Sequence, residues 1–184
     1  MKLSVWEIPE EGLEVTLEKE KGWMESFHTE WPSIYKFISP VKGSFKIKRW
    51  GTKVTVEGSI QTELELECSR CLVTFSYPLS INFVSELYPL EEVILRSSEP
   101  VELRKNEMEM EFYRKGILDI EEVMSTNIIL NIPTYPLCKE NCKGICPECG
   151  KNLNYEKCTC KKEKVIKDER WRALESLKNI LQKK

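Results

Sequence analysis

Between residues 41 and 87 apolar and polar side chains alternate with a period of two. Phe45 and Ile47 fall on one side of a run whose other side carries Lys46, Lys48 and Trp50. Val54 and Val56 alternate with Lys53, Thr55 and Glu57, Leu64 and Leu66 lead into Cys68, and Phe75, Tyr77, Leu79, Ile81 and Phe83 share one face of the next run. That period marks half-buried strands, because successive side chains leave opposite faces. With Gly43, Gly51 and Gly58 as turn signals, the stretch predicts an antiparallel meander whose first hairpin turns at Gly51-Thr52. Leu13 to Leu17 alternate in the same way and predict one more strand, and Val93 to Leu103 suggest another around Pro100. Residues 23–37 are aromatic-rich, broken by Pro32, and follow neither period.

The period then changes. Asp119-Ile120-Glu121-Glu122 has the form of a helix start, and Ile120, Val123, Met124 and Ile128 make an apolar stripe that ends before Pro133. Asp168 is a candidate cap for a last amphipathic helix that would bury Trp171, Leu174, Leu177 and Leu181. The expected architecture is α+β: an antiparallel β-rich body, meander or barrel-like, over residues 1–134 with a few helices. A cysteine-rich zinc module over 135–160 and a C-terminal amphipathic helix over 161–184, packed on the body, complete the expected organisation.

Six of the eight cysteines fall between Pro136 and Cys160, and the other two form the pair Cys68-x-x-Cys71 inside a strand-like run. Thiolates placed four around a tetrahedral ion suit zinc, and short spacings let one turn present two sulfurs to one metal. Cys146-Pro147-Glu148-Cys149-Gly150 fits that turn, and Cys158-x-Cys160 is its returning pair, giving one expected site of Cys146, Cys149, Cys158 and Cys160. Cys138 and Cys142 are then left with Cys68 and Cys71, a candidate second site. A competing partition makes one cluster of Cys138 to Cys149 and leaves Cys68 and Cys71 as thiols or a redox pair. One or two zinc ions are therefore expected. All-cysteine tetrahedral zinc has no open position for water, which points to a structural role.

Two other uses of cysteine were weighed against the surrounding sequence. A secreted disulfide scaffold is denser in cysteine and follows a leader, whereas MKLSVWEIPEEG has no apolar core of that kind. A thioredoxin-like centre needs an apolar helix after its motif, and Cys149 is followed by the turn-rich GKNLNYEK. No apolar run is long enough to cross a bilayer as a helix, so the expectation is a cytoplasmic protein with no membrane partner.

Charge is unevenly distributed. Residues 1–134 carry 15 basic and 23 acidic side chains, while residues 135–184 carry 13 and 7. Part of that basic excess compensates a four-thiolate zinc site, whose formal charge is −2. Lys42, Lys46, Lys48, Arg49 and Lys53, interleaved with Phe45 and Trp50, make a candidate nucleic-acid surface, to which Lys143, Lys151, Lys161 and Lys162 of the basic end can be added. The competing reading is a solvated sheet face or a lysine-guarded edge. The lone histidine, His28, reads as a packed or surface residue, and no glycine-rich phosphate loop or histidine cluster suggests an enzyme.

The residues Cys68-Ser69-Arg70-Cys71-Leu72, then Cys138-x3-Cys142-Lys143-Gly144-Ile145-Cys146-Pro147-x-Cys149-Gly150-x-Asn152-Leu153-Asn154, Cys158-x-Cys160 and Arg170 resemble the YceD family of bacteria and plastids. That resemblance implies a non-enzymatic factor supporting accumulation of large-subunit ribosomal RNA, with that RNA or a ribosomal protein as partner and no small-molecule substrate. The alternative is a thiol-based redox or metal-transfer protein using Cys68 and Cys71.

Overall fold

A computed structural model describes residues 1–27, 35–91 and 110–160. His28, the Val93 to Leu103 run, Lys161, Lys162 and the helix expected from Asp168 lie outside the described residues. The chain divides into two compact units, Met1–Cys142 and Lys143–Lys184, so residues 135–142 go with the body.

The first unit is built on a long meander. Strands β1 (Lys2–Ser4), β2 (Leu13–Lys19) and β3 (Lys36–Phe37) precede β4 (Val41–Trp50), β5 (Lys53–Glu67) and β6 (Thr74–Pro89); β7 (Glu111–Tyr113) and β8 (Ile117–Asp119) follow. The sheet order is β2-β4-β5-β6-β7, with β3 also paired to β5, while β1 and β8 form a separate two-stranded ladder. Pairing is antiparallel except between β6 and β7, which run parallel. Among the described residues the ends of the sheet do not pair with each other, so it is an open meander and not a closed barrel.

Trp50 pairs with Lys53 across Gly51-Thr52, which turns the expected hairpin. Gly51 takes φ 61 while Thr52 keeps an ordinary negative φ, the arrangement that suits two twisted strands joined by two residues. The other two glycines are not turns. Gly43 and Gly58 sit inside β4 and β5, where aromatic rings lie over the backbone. A Cβ on Gly58 would stand 2.4 Å from the Phe83 ring and 3.0 Å from that of Phe45, and one on Gly43 would stand 2.6 Å from Phe45. Composition alone does not separate a glycine that bends a strand from one that makes room for a ring.

The inner face carries Val41, Phe45, Ile47, Val54, Val56, Ile60, Leu64, Leu66, Leu79, Ile81 and Leu87, all buried. Helix α1 (Trp23–Phe27) contributes Met24 to the same core. Helix α2 (Ile120–Asn131) buries Ile120, Val123, Met124 and Ile128 in that core, the stripe expected from the sequence. Asp119 caps it by accepting from the Glu121 amide at 3.1 Å. Glu121 in turn accepts from Lys19 at 2.7 Å and from Trp23 Nε1 at 3.2 Å, tying β2 and α1 to the helix start.

Replacing Gly58 by Ala forces a ring contact too short for any real Cβ. Gly58→Ala is expected to destabilise the body by about 1–3 kcal/mol. Urea unfolding measures this, and a second change of Phe83 to Leu should restore part of the loss.

Candidate metal centres

The β5–β6 connection is a six-residue turn, Cys68 to Val73, built almost entirely from backbone bonds around sulfur. The Cys68 amide donates to the Val73 carbonyl at 3.0 Å and the Leu72 amide to the Cys68 carbonyl at 2.9 Å. Just outside the turn Glu67 pairs with Thr74. The segment after Cys146 repeats this bonding position by position. The Cys146 amide donates to Lys151 at 2.8 Å, the Gly150 amide donates to Cys146 at 2.9 Å, and Ile145 bridges to Asn152. Sequence spacing makes two Cys-x-x-Cys turns alike; the structure makes them the same knuckle.

One difference separates them. The residue after the second cysteine is Gly150 at φ 70 in one knuckle and Leu72 at φ 58 in the other. The left-handed region is open to glycine and costs an ordinary L-residue about 1–2 kcal/mol. Leu72 recovers little of that by burial, being 56% exposed.

Each knuckle meets a second pair of cysteines. Cys68 Sγ lies 3.8 Å from Cys142 Sγ and Cys71 Sγ lies 3.6 Å from Cys138 Sγ. In the second unit Cys158 Sγ is 3.2 Å from that of Cys146 and 3.6 Å from that of Cys149. In each set of four, Cys68, Cys71, Cys138 and Cys142 or Cys146, Cys149, Cys158 and Cys160, all sulfurs lie within 4.8 Å of one another. Four sulfurs at about 2.3 Å from a tetrahedral zinc stand about 3.8 Å apart. No disulfide joins any of the eight. Both sets could hold a metal ion, and an all-sulfur donor set suits zinc.

The backbone favours negative charge at the knuckles. Burial opposes ionisation of Cys68, but the amides of Cys138, Arg70 and Cys71 outweigh it and hold the thiol at about 6. Desolvation and the neighbouring thiols of Cys71, Cys68 and Cys142 push Cys138 up to about 12. The other set divides in the same way. The Cys149 amide, the Cys158 thiol and the Glu148 amide hold Cys146 at about 7, while Cys158 and Cys149 push Cys160 up to about 12. Four acids crowded at one point cannot all lose protons unaided, and a divalent cation removes that conflict.

The environments differ. Cys68, Cys71 and Cys142 are buried and Cys138 is half-buried, joined by Phe75 and Leu137. Arg70 donates to the Cys142 carbonyl at 3.1 Å and the Ser69 amide to the Pro136 carbonyl at 2.9 Å, so the knuckle and the segment after α2 are fastened to each other beyond the sulfurs. In the second set only Cys146 is buried, while Cys149 and Cys160 are exposed. There Asn154 accepts from the Lys143 amide at 3.0 Å, and the Leu153 amide donates to Gly144 at 2.9 Å.

The residues considered for nucleic acid are dispersed. Phe45 is in the core. Lys42 faces Glu18 at 3.6 Å, Lys46 faces Glu14 at 3.8 Å, and Lys53 is 2.7 Å from Glu86, so cross-strand acids neutralise most of the outer row. Lys151 pairs with Glu156 at 3.5 Å, and Lys143 is exposed. Lys48 and Trp50 lie on the outer face near the β4–β5 tip, and Arg49 leaves the opposite face with the Trp6 ring 5.8 Å from its guanidinium. Trp6 stands too far from the hairpin in sequence for alternation to reveal it.

A family model described as large ribosomal RNA subunit accumulation protein YceD matches residues 56–178, which contain both cysteine sets. The chain belongs to the YceD family. Among curated relatives, it is 27% identical over 165 residues to a chloroplastic protein of Arabidopsis thaliana named large ribosomal RNA subunit accumulation protein YCED homolog 1, covering 79% of this chain and 51% of that one. It is 32% identical over 152 residues to the uncharacterized protein YlbN of Bacillus subtilis, covering 81% and 80%. An uncharacterized protein of Mycobacterium leprae shares 21% identity over 123 residues, 67% of this chain and 54% of its own. The chain thus spans about half the length of two of these relatives. No solved structure matches it.

The two knuckles make opposite substitutions informative. Leu72→Gly should raise the stability of the body by about 0.5–1 kcal/mol, the left-handed penalty less the extra entropy glycine has when unfolded. Gly150→Leu should weaken the second unit by about 1–2 kcal/mol through backbone strain alone, since a Cβ there meets nothing within 4 Å. Amide exchange protection on each side reads both effects.

Proposed function

We propose that the protein is a non-catalytic factor that supports accumulation of large-subunit ribosomal RNA, with structural zinc in both four-cysteine sets. The observation that carries the structural part is closure. Each set offers four sulfurs to one point, leaving a tetrahedral ion no position for water or substrate. Cys68, Cys71, Cys138 and Cys142 would hold one ion, and Cys146, Cys149, Cys158 and Cys160 the other. When bound, zinc supplies charge and cross-linking there. The amides of Arg70, Cys71, Glu148 and Cys149 offset thiolate charge, and the Arg70 guanidinium holds the Cys142 backbone in place.

Membership of the YceD family and the name of the Arabidopsis relative support the ribosomal part. The partner would be large-subunit ribosomal RNA or a ribosomal protein. Among the described residues no helix is long and apolar enough to cross a membrane. A redox or metal-transfer role for Cys68 and Cys71 has less support, because both are buried and a reacting thiol needs access.

Two measurements test this reading. Metal analysis should find about one zinc for each four-cysteine set, and stripping it should first abolish exchange protection over 143–160, where the thiols are exposed. Full protection there in verified metal-free protein would remove zinc from the account. In the host, depletion should lower large-subunit ribosomal RNA relative to the small-subunit species, and the tagged protein should sediment with large-subunit precursors. Unchanged RNA ratios with no co-sedimentation would overturn the ribosomal reading.

A further inference from the structure

The cations of the β4–β5 hairpin fall into two classes. Lys42, Lys46 and Lys53 each have a carboxylate within 4.0 Å, whereas among the described residues Lys48 and Arg49 make no ion pair. Those two sit at the tip with two exposed indoles. Trp50, 72% exposed, lies with Lys48 on the outer face of the strand, while Arg49, paired with the buried Val54, leaves from the opposite face. Trp6, 63% exposed, stands over the Arg49 guanidinium beside the Gly116 turn.

Arg49 is itself held in place. Its Nη1 donates to the Gly51 carbonyl at 3.3 Å, and its Nε is buried without a hydrogen-bond partner. Trp50 is the largest apolar side chain on an outer sheet face whose other positions are mostly small or charged, and Trp6 belongs to the short turn Val5–Glu7. Their chemistry is specific. An indole face takes a flat π-system, and an unpaired Lys or Arg beside it takes a phosphate.

We propose that the hairpin tip binds single-stranded RNA by stacking around its end, with Trp50 and Lys48 on the outer face and Trp6 with Arg49 on the opposite face. This rests on the ribosomal RNA arm of the proposed function and identifies where and how the contact is made. The tip lies before the segment that the family model matches, so it is a property argued from this chain's own residues. Glu7 follows Trp6, and Glu10 and Glu11 precede Gly12, which lies against Lys48, so acids limit how many phosphates the tip can neutralise and stacking contributes most of the binding. A duplex hides its base faces and offers only phosphates, so the tip prefers unpaired strands.

The test uses the zinc-loaded full chain and a fluorescein-labelled mixed-sequence RNA strand of about 12 nucleotides, followed by anisotropy. Trp50→Ala and Trp6→Ala should each weaken binding by about 5- to 100-fold, while Trp50→Phe retains most of it. The logarithm of affinity should fall with the logarithm of salt at a slope of about −1.4, dropping by about 0.7 in Lys48→Gln or Arg49→Gln. A duplex of the same sequence should bind more weakly. Because Trp6 also packs on the Gly116 turn, ultraviolet crosslinking of wild-type protein provides a second readout, with RNA attached to peptides containing Trp6 or Trp50.

Wild-type affinity in the correctly folded Trp50→Ala variant, or crosslinks confined to other peptides, would overturn the stacking contact and leave the ribosomal role intact. Failure of the wild type to bind RNA, with co-sedimentation retained, would also overturn it and assign the contact to a ribosomal protein. Loss of co-sedimentation and of the depletion phenotype together would instead sink the functional reading beneath it.

Discussion

The body depends on four sulfurs from distant parts of the chain meeting at one point. Cys68 and Cys71 end the longest hairpin, and Cys138 and Cys142 follow the helix that covers its inner face. Bringing these segments together closes a loop of about seventy residues, whose entropic cost grows only slowly with length but is fully present before any contact forms. Backbone bonds on either side of the sulfurs, from Arg70 to Cys142 and from Ser69 to Pro136, share the task of holding the closure. Phe75 packs against both the main core and the cysteine cluster, so the closure is continuous with the helix–sheet core.

That arrangement explains why the first knuckle tolerates a strained residue. A left-handed Leu72 would favour an extended chain in an isolated turn, yet flanking pairs and converging sulfurs leave it no alternative. The second knuckle has fewer buried neighbours and carries glycine at the same position. Local backbone economy matters more where packing supplies less.

Much of this was legible in the sequence, for a physical reason. Alternation reports a half-buried sheet directly, so β4, β5 and β6 and their inward residues could be read residue by residue, as could the Ile120, Val123, Met124 and Ile128 stripe of α2. Short spacing read the pairs within each turn, but joining Cys68 and Cys71 to Cys138 and Cys142 rather than making one cluster of Cys138 to Cys149 is decided by the fold that brings the distant pairs together. Gly43 and Gly58 were misread because an aromatic ring covering a backbone leaves no local signature. The short strands β1, β7 and β8 were invisible because three residues contain no period, and their pairing is decided by distant partners.

The lysine row shows the same limit in electrostatic form. Read along the chain, Lys42, Lys46, Lys48, Arg49 and Lys53 form one cationic strip. Across the sheet, Glu14 and Glu18 of β2 and Glu86 of β6 lie beside three of them, and exposed cross-strand pairs of this kind contribute well under about 1 kcal/mol of stability while cancelling the surface potential. Register therefore decides which charges are available to a partner, and register is a property of the sheet, not of any single strand. What survives cancellation is Lys48 and Arg49, because β2 with its acids ends opposite Ile47, whereas Lys53 beside the turn is paired with Glu86 of β6. Uncompensated charge and two exposed indoles coincide near the β4–β5 tip because the β2–β4 ladder stops short of it.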